Sequence, residues 1–200
     1  MKPYAESCEQ NRDPILEVIM PLFARCRSIL EIGSGTGQHA VYFASRMPHL
    51  VWHTSDRKAH HEGIQMWLDE AALPNTRAPI CLDVIADPWP SLEIDGIFSA
   101  NTAHIMHWPE VEAMFEGAGA LLPQSGRFAL YGPFNYGGRY TSDSNARFDS
   151  WLKSRDPDSG IRNAEELNAL ADRAGMIPQG DYRMPANNRI LCWERESSLS

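Results

Sequence analysis

Two hundred residues, 43% hydrophobic and 22% charged, suffice to bury a core without disulfides or metals, and this balance argues against wholesale disorder. The net charge is −8 with no run of Lys or Arg, which makes nucleic acid a poor partner, since that affinity rests on neutralising phosphates. The apolar runs are too short to span a bilayer, and "MKPYAESCEQNRD" has no apolar signal-peptide core.

In chain order, "RDPILEVIMPLF" reads as a helix capped by Asp13 with Pro14 in its first turn. "SILEI" (28–32) is a strand, and "GQHAVYFASRM" has helical spacing. The strand "LVWHTS" (50–55) and the helix "AHHEGIQMWLDEAA" follow, then the strands "APICLD" (78–83) and "IDGIFSA" (94–100). The helix "PEVEAMFEGAGALL" and the strand "GRFALYG" (126–132) come next. Pro133–Gly160 is the least regular part, and a long polar excursion in a compact domain tends to be functional. "AEELNALADRAG" is a helix with Asn163 as N-cap, Glu166 three residues on, and Gly175 at its end. "RILCWE" (189–194) is the last strand. Such alternation implies one open α/β domain over residues 1–200 with right-handed crossovers. Cys8, Cys26, Cys81 and Cys192 are scattered without a CxxC pair, as expected of free thiols in a cytoplasmic chain.

The turn after the first strand, "LEIGSGTGQHA", is the chemical focus. Open α/β sheets bind ligands beyond the carboxyl ends of their strands, where the strand order reverses. Gly33, Gly35 and Gly37 permit positive φ there and let a ligand lie against the backbone. A phosphate-binding P-loop needs Gly-Lys-Ser/Thr, but Gln38 and His39 follow Gly37. A dinucleotide fingerprint counted from Gly33 places Gln38 where a small residue must pack. Three acids stand at successive strand ends: Glu31 just before Gly33, Asp56 after the second strand, and Asp83 after the third.

Together "LEIGSGTG", "HTSD" and "CLDV" resemble the cofactor motifs of class I S-adenosylmethionine-dependent methyltransferases. The resemblance implies a Rossmann-like fold: a seven-stranded, mostly parallel sheet with an antiparallel last strand and helices on both faces. It implies that Glu31 holds the methionine end, Asp56 the ribose hydroxyls and Asp83 the adenine amino group. Gly33, Gly35, Gly37, Arg57, Val84 and Asn101 complete the expected cofactor site. "SANTAHIMHWPEVEAMF", "LYGPFNYGGRYTSDSNARFDSWLKSRDPDSGIRN" and "YRMPANNRILCWER" are similar to blocks of a little-characterised subfamily that includes the animal protein methyltransferase-like 26.

Methyl transfer from a sulfonium needs an aligned nucleophile and, for some acceptors, a base. The resemblance places Asn101, His104 and Tyr136 as catalytic candidates. Asn11, Arg12, Tyr131, Asn135, Arg139, Tyr140 and Asn145 are expected to bind a small polar acceptor, with Gly137–Gly138 in a closing loop. His104 reads equally as a base or as a hydrogen-bonded residue starting the next helix. No metal is expected, since His104 and His107 lack a nearby Cys, further His or paired carboxylate in sequence. The Asn/Asp-Pro-Pro-Tyr/Phe motif of amino- and base-N-methyltransferases is missing. The rival readings are a nicotinamide-dependent oxidoreductase, and a cofactor-binding protein that transfers nothing.

Overall fold

A computed structural model describes residues 1–197. Five short apolar segments become parallel strands: β1 (Ser28–Ile32), β2 (Val51–Asp56), β3 (Thr76–Cys81), β4 (Gly96–Ala100) and β5 (Arg127–Gly132). A two-residue parallel pair, β6 (Phe134–Asn135) with β7 (Arg162–Asn163), lies apart from them. Two antiparallel strands, β8 (Met176–Met184) and β9 (Asn188–Arg195), close the main sheet. Its order is β3-β2-β1-β4-β5-β9-β8. The sheet is thus mostly parallel with an antiparallel last strand, β9, paired to β5 and β8. This is the class I methyltransferase arrangement.

The helices are α1 (Glu6–Leu22), α2 (Gln38–Arg46), α3 (His61–Ala71), α4 (Trp108–Leu121), α5 (Asp143–Arg155) and α6 (Ala164–Arg173). Neighbouring strand residues point to opposite faces, so each buried strand feeds two cores. Ile29 and Phe98 pack with Ile15, Ile19 and Phe43 of α1 and α2 on one face. Leu30 and Ile97 pack with Phe115 and Leu167 of α4 and α6 on the other. Each fully buried side chain of this size stabilises the fold by about 1.5–3 kcal/mol. No helix among the described residues is long and apolar enough to cross a membrane.

Three expectations need correction. Asp13 does not cap α1, which begins at Glu6 and carries Pro14 in its interior. The Gln38 side chain fixes the earlier start: its Oε1 accepts from the Ala5 N–H at 2.6 Å and its Nε2 donates to the Ala5 carbonyl at 3.2 Å. Tertiary anchoring therefore outweighs the local proline signal. The excursion 133–160 holds α5, whose N-cap Ser142 accepts from the Asn145 N–H. Asn163 holds the N-cap position of α6, but its side chain caps no backbone N–H; its Nδ2 donates to Glu166 Oε2 at 2.7 Å instead.

One strand carries no alternating apolar signal in the sequence. "MIPQGDYRM" forms edge strand β8, with a register shift between Pro178 and Gly180. Edge position tolerates proline and polar residues that disguise a strand.

Candidate functional site

The strand order reverses between β1 and β4, and a cavity of about 620 Å³ opens at their carboxyl ends. Gly33 and Gly35, both at positive φ, form one wall. A Cβ on Gly33 would meet Thr102 Cγ2 at 2.6 Å, whereas one on Gly35 would project into open space. Thr102 is held by a 2.7 Å hydrogen bond between its hydroxyl and that of Ser99. The two loops thus touch where the strands diverge.

Asp56 ends β2 with its carboxylate over the turn, Oδ2 accepting from the Gly35 N–H at 2.8 Å. Arg57 lines the cavity beside it, paired to Asp83 at 3.2 Å and to Glu110. Leu82, Val84, Ile105 and Met106 give the wall an apolar stretch. The start of α1 completes the enclosure with Ala5, Ser7 and Cys8. Desolvation beside Glu31 pushes the Cys8 thiol up to about 11.

Glu31 sits one layer beneath this wall, 2% exposed, with Trp52 Nε1 donating to its Oε2 at 3.2 Å. Burial pushes its carboxyl up to about 7, against hydrogen bonds from Trp52 and Ser34 that lower it. Asp83 lies outside the cavity wall, although its neighbours Leu82 and Val84 line it. Its Oδ1 accepts from the Ile85 and Ala86 N–H groups, each at 3.1 Å, and these bonds with Arg57 hold its carboxyl below the usual carboxylate range. Gly37 also lies outside. It begins α2 at φ 93°, and a Cβ there would press on the Ile64 backbone at 3.1 Å, so it serves helix packing.

A second cavity, of about 440 Å³, adjoins the first, and Ser7 and Asn101 line both. Asn101 follows β4 in the left-handed region, φ 57°, its N–H donating to the Tyr131 carbonyl at 2.9 Å. Non-glycine residues adopt this conformation rarely and at a cost, and such strain clusters at functional sites. Three of the acceptor candidates, Asn11, Tyr131 and Asn145, also line this cavity, joined by Phe148 and Asn188. Burial pushes the Tyr131 hydroxyl above its ordinary value, opposed by hydrogen bonding to Asn11 and Asn188.

The other acceptor candidates stand elsewhere. Arg12 pairs with Glu9 at 2.6 Å and lies over the Tyr42 ring. Tyr136 donates to Asp181 at 2.7 Å, and Tyr140 to Asp149 at 2.6 Å. Arg139 is exposed in a hairpin whose two turn residues, Gly137 and Gly138, are both at positive φ. The Tyr136 and Arg139 backbones exchange hydrogen bonds of 3.1 and 3.0 Å across this turn, so it is a closed hairpin. Asn135 is buried in β6 with its Oδ1 unpaired among the described residues. None of these side chains lines either cavity.

His104 is buried and lines neither cavity, its ring edge-on to Phe148 with centroids 5.3 Å apart. Burial, with Arg162 nearby, drops it to about 4, so it is neutral at physiological pH. His39, passed over in the sequence, lines the first cavity. Its Nε2 lies 2.7 Å from Asn11 Oδ1, linking the two cavities through polar side chains, and burial lowers it to about 4. Its only sequence signal is a polar residue on the inward face of α2.

His107, Asp156 and Asp158 bring potential metal ligands within 4.8 Å of one another. A sequence separation of 49 residues concealed the 2.7 Å contact of His107 with Asp156. His107 also caps α4 in a box with Glu110.

Solved structures with this fold include methyltransferases. An O-methyltransferase family protein from Burkholderia thailandensis matches with TM-score 0.81 at 16% identity, over 93% of this chain. The S-adenosylmethionine-dependent methyltransferase SibL matches with TM-score 0.81 at 21% identity over 95%, and PigF, solved with SAH, with 0.79 at 15% over 93%. The chain spans 56% of the length of each of these. A family model described as "Protein of unknown function (DUF938)" matches residues 2–195, and the chain belongs to that family.

Proposed function

We propose that the protein transfers a methyl group from S-adenosylmethionine to a small polar acceptor. The observation that carries this reading is the Gly33–Gly35 turn. It leaves open space at Gly35 and sets the Asp56 carboxylate beside it, at the switch point of a methyltransferase-type sheet. The residues fit the ligand. Asp56 presents acceptor oxygens to a ribose diol, and Leu82, Val84, Ile105 and Met106 suit the faces of an adenine. Glu31 offers buried negative charge to an ammonium, which would favour its ionised form. Asp83 lies outside the cavity wall and already accepts from Ile85, Ala86 and Arg57, so an adenine amino group could reach only its remaining Oδ2 lone pair. Likeness to the methyltransferase-like 26 subfamily, from the blocks quoted above, points the same way.

When bound, the cofactor supplies an electrophilic methyl group on a positively charged sulfur. The chain's own work is alignment: Asn101 lines both cavities, where an acceptor would face that methyl. His104, neutral and outside both cavities, is a packing residue in this reading. Calorimetry and thermal unfolding with S-adenosylhomocysteine test the reading. At 100 times its Kd, a ligand bound only by the folded state adds about 2.7 kcal/mol of stability. Stabilisation by NAD and none by S-adenosylhomocysteine would overturn it.

A further inference from the structure

The second cavity differs in kind from the first. Asp56, Arg57, Glu110 and Asp156 line the cofactor side. No Asp, Glu, Lys, Arg or His lines the second cavity among the described residues; its polar surface is amide and hydroxyl. We propose that it binds an acceptor without net charge, rich in hydroxyl or amide groups and carrying one flat or apolar face. This rests on the methyl-transfer reading above.

An ionised carboxylate or phosphate would leave water for a wall with no countercharge, a costly transfer unless paired. The two arginines expected to supply that charge are engaged with Glu9 and Tyr42 or exposed on the hairpin. A cationic acceptor would likewise meet no acid there, and would face the sulfonium charge. Neutral hydrogen-bonding groups are well served. Asn145 directs its amide hydrogens at Thr141 Oγ1 (3.0 Å) and the Asn187 carbonyl (3.2 Å), which leaves its Oδ1 to accept from a ligand. Phe148 supplies a flat wall that is fixed in place, stacked on Trp151 with centroids 5.9 Å apart and braced by His104.

Backbone strain marks the same place. Asn101 and Ala186 line the cavity at φ 57° and 56°, and Asn187, at φ 59°, adjoins it. These non-glycine residues in the left-handed region converge on one cavity from two separate loops. Strained backbone persists where its surroundings enforce it, and here it fixes the wall in advance of a ligand.

The test separates a small-molecule extract at pH 7.5 by anion and cation exchange. Each fraction is incubated with the protein and S-adenosylmethionine labelled in the methyl group. Label should pass into a compound from the unretained, uncharged fraction. Label confined to retained anions or cations overturns the assignment while leaving methyl transfer standing. No label in any fraction, from protein that binds S-adenosylhomocysteine, overturns methyl transfer and this assignment with it. Ser144→Asp then places a carboxylate at the exposed mouth of the cavity. Turnover of the uncharged acceptor should fall tenfold or more with S-adenosylhomocysteine affinity kept within twofold; unchanged turnover removes this cavity from the reaction.

Discussion

Replacing Glu31 by Gln should stabilise the protein without ligand and weaken its hold on S-adenosylhomocysteine. Glu31 is buried, and its carboxyl is raised from an ordinary 4.5 to about 7. An acid raised on folding costs nothing well below its unfolded pKa, and the cost grows as pH climbs through the interval between the two values. Taking 1.36 kcal/mol per unit, ionising Glu31 costs the fold about 3 kcal/mol at pH 8 and under ~1 kcal/mol at pH 5. Glutamine keeps an oxygen for the Trp52 donor and removes the charge. Urea denaturation should therefore show Glu31→Gln more stable by up to about 3 kcal/mol at pH 8, the gap closing towards pH 5.

Binding should move the other way. An ammonium near Glu31 favours its ionised form, so wild-type affinity should fall as pH drops below 7, by roughly tenfold per unit. The variant should bind about 1.5–3 kcal/mol more weakly at pH 8 and lose that pH dependence. Wild-type stability at pH 8 would refute the buried-charge reasoning. Wild-type affinity would refute the ammonium role.

Gly35→Ala should abolish S-adenosylhomocysteine binding at a folding cost of only about 1–2 kcal/mol, since its Cβ meets nothing but ligand space; Gly37→Ala should cost more stability because the Ile64 backbone stands in the way. Asp56→Ala should weaken the same ligand by roughly 1.5–3 kcal/mol in calorimetry with the fold intact. His39 and His104 are held near 4, so each should withdraw about 2 kcal/mol of stability at pH 5, as the unfolded chain takes up the proton near 6.5; His104→Phe should flatten the fall in denaturation midpoint between pH 7 and 5. Asn101→Gly keeps the φ 57° turn without strain, so a loss of turnover in a stable protein would isolate the side chain's part.

The sheet was legible because parallel strands buried on both faces read as short apolar runs, as in "SILEI" and "GIFSA". Edge strand β8 lacked that signal. At the site, the glycine turn and Asp56 were legible because their chemistry is local to one strand end. The roles given to Arg139, Tyr136 and Tyr140 depended on the direction of a hairpin, which is set by the bond of Tyr136 to Asp181, far along the chain, and of Tyr140 to Asp149 in the following helix. The contribution of Ser7 and Cys8 was hidden for the same reason: the start of α1 is held at Ala5 by Gln38, distant in sequence.

Gln38 connects these threads. In sequence it counted against a dinucleotide fingerprint, because a large residue stands where helix and strand should pack closely. In the fold its side chain leaves that contact and clamps the start of α1, also accepting from Thr36 Oγ1 at 3.0 Å and donating to Glu9 Oε1 at 3.2 Å. The clamp lays Ala5, Ser7 and Cys8 along the first cavity and Gln10 and Asn11 along the second. One buried amide thus ties the glycine turn to the helix that borders both cavities. Ser7 and Asn101 line both cavities, so under the proposed function they stand where cofactor and acceptor would meet.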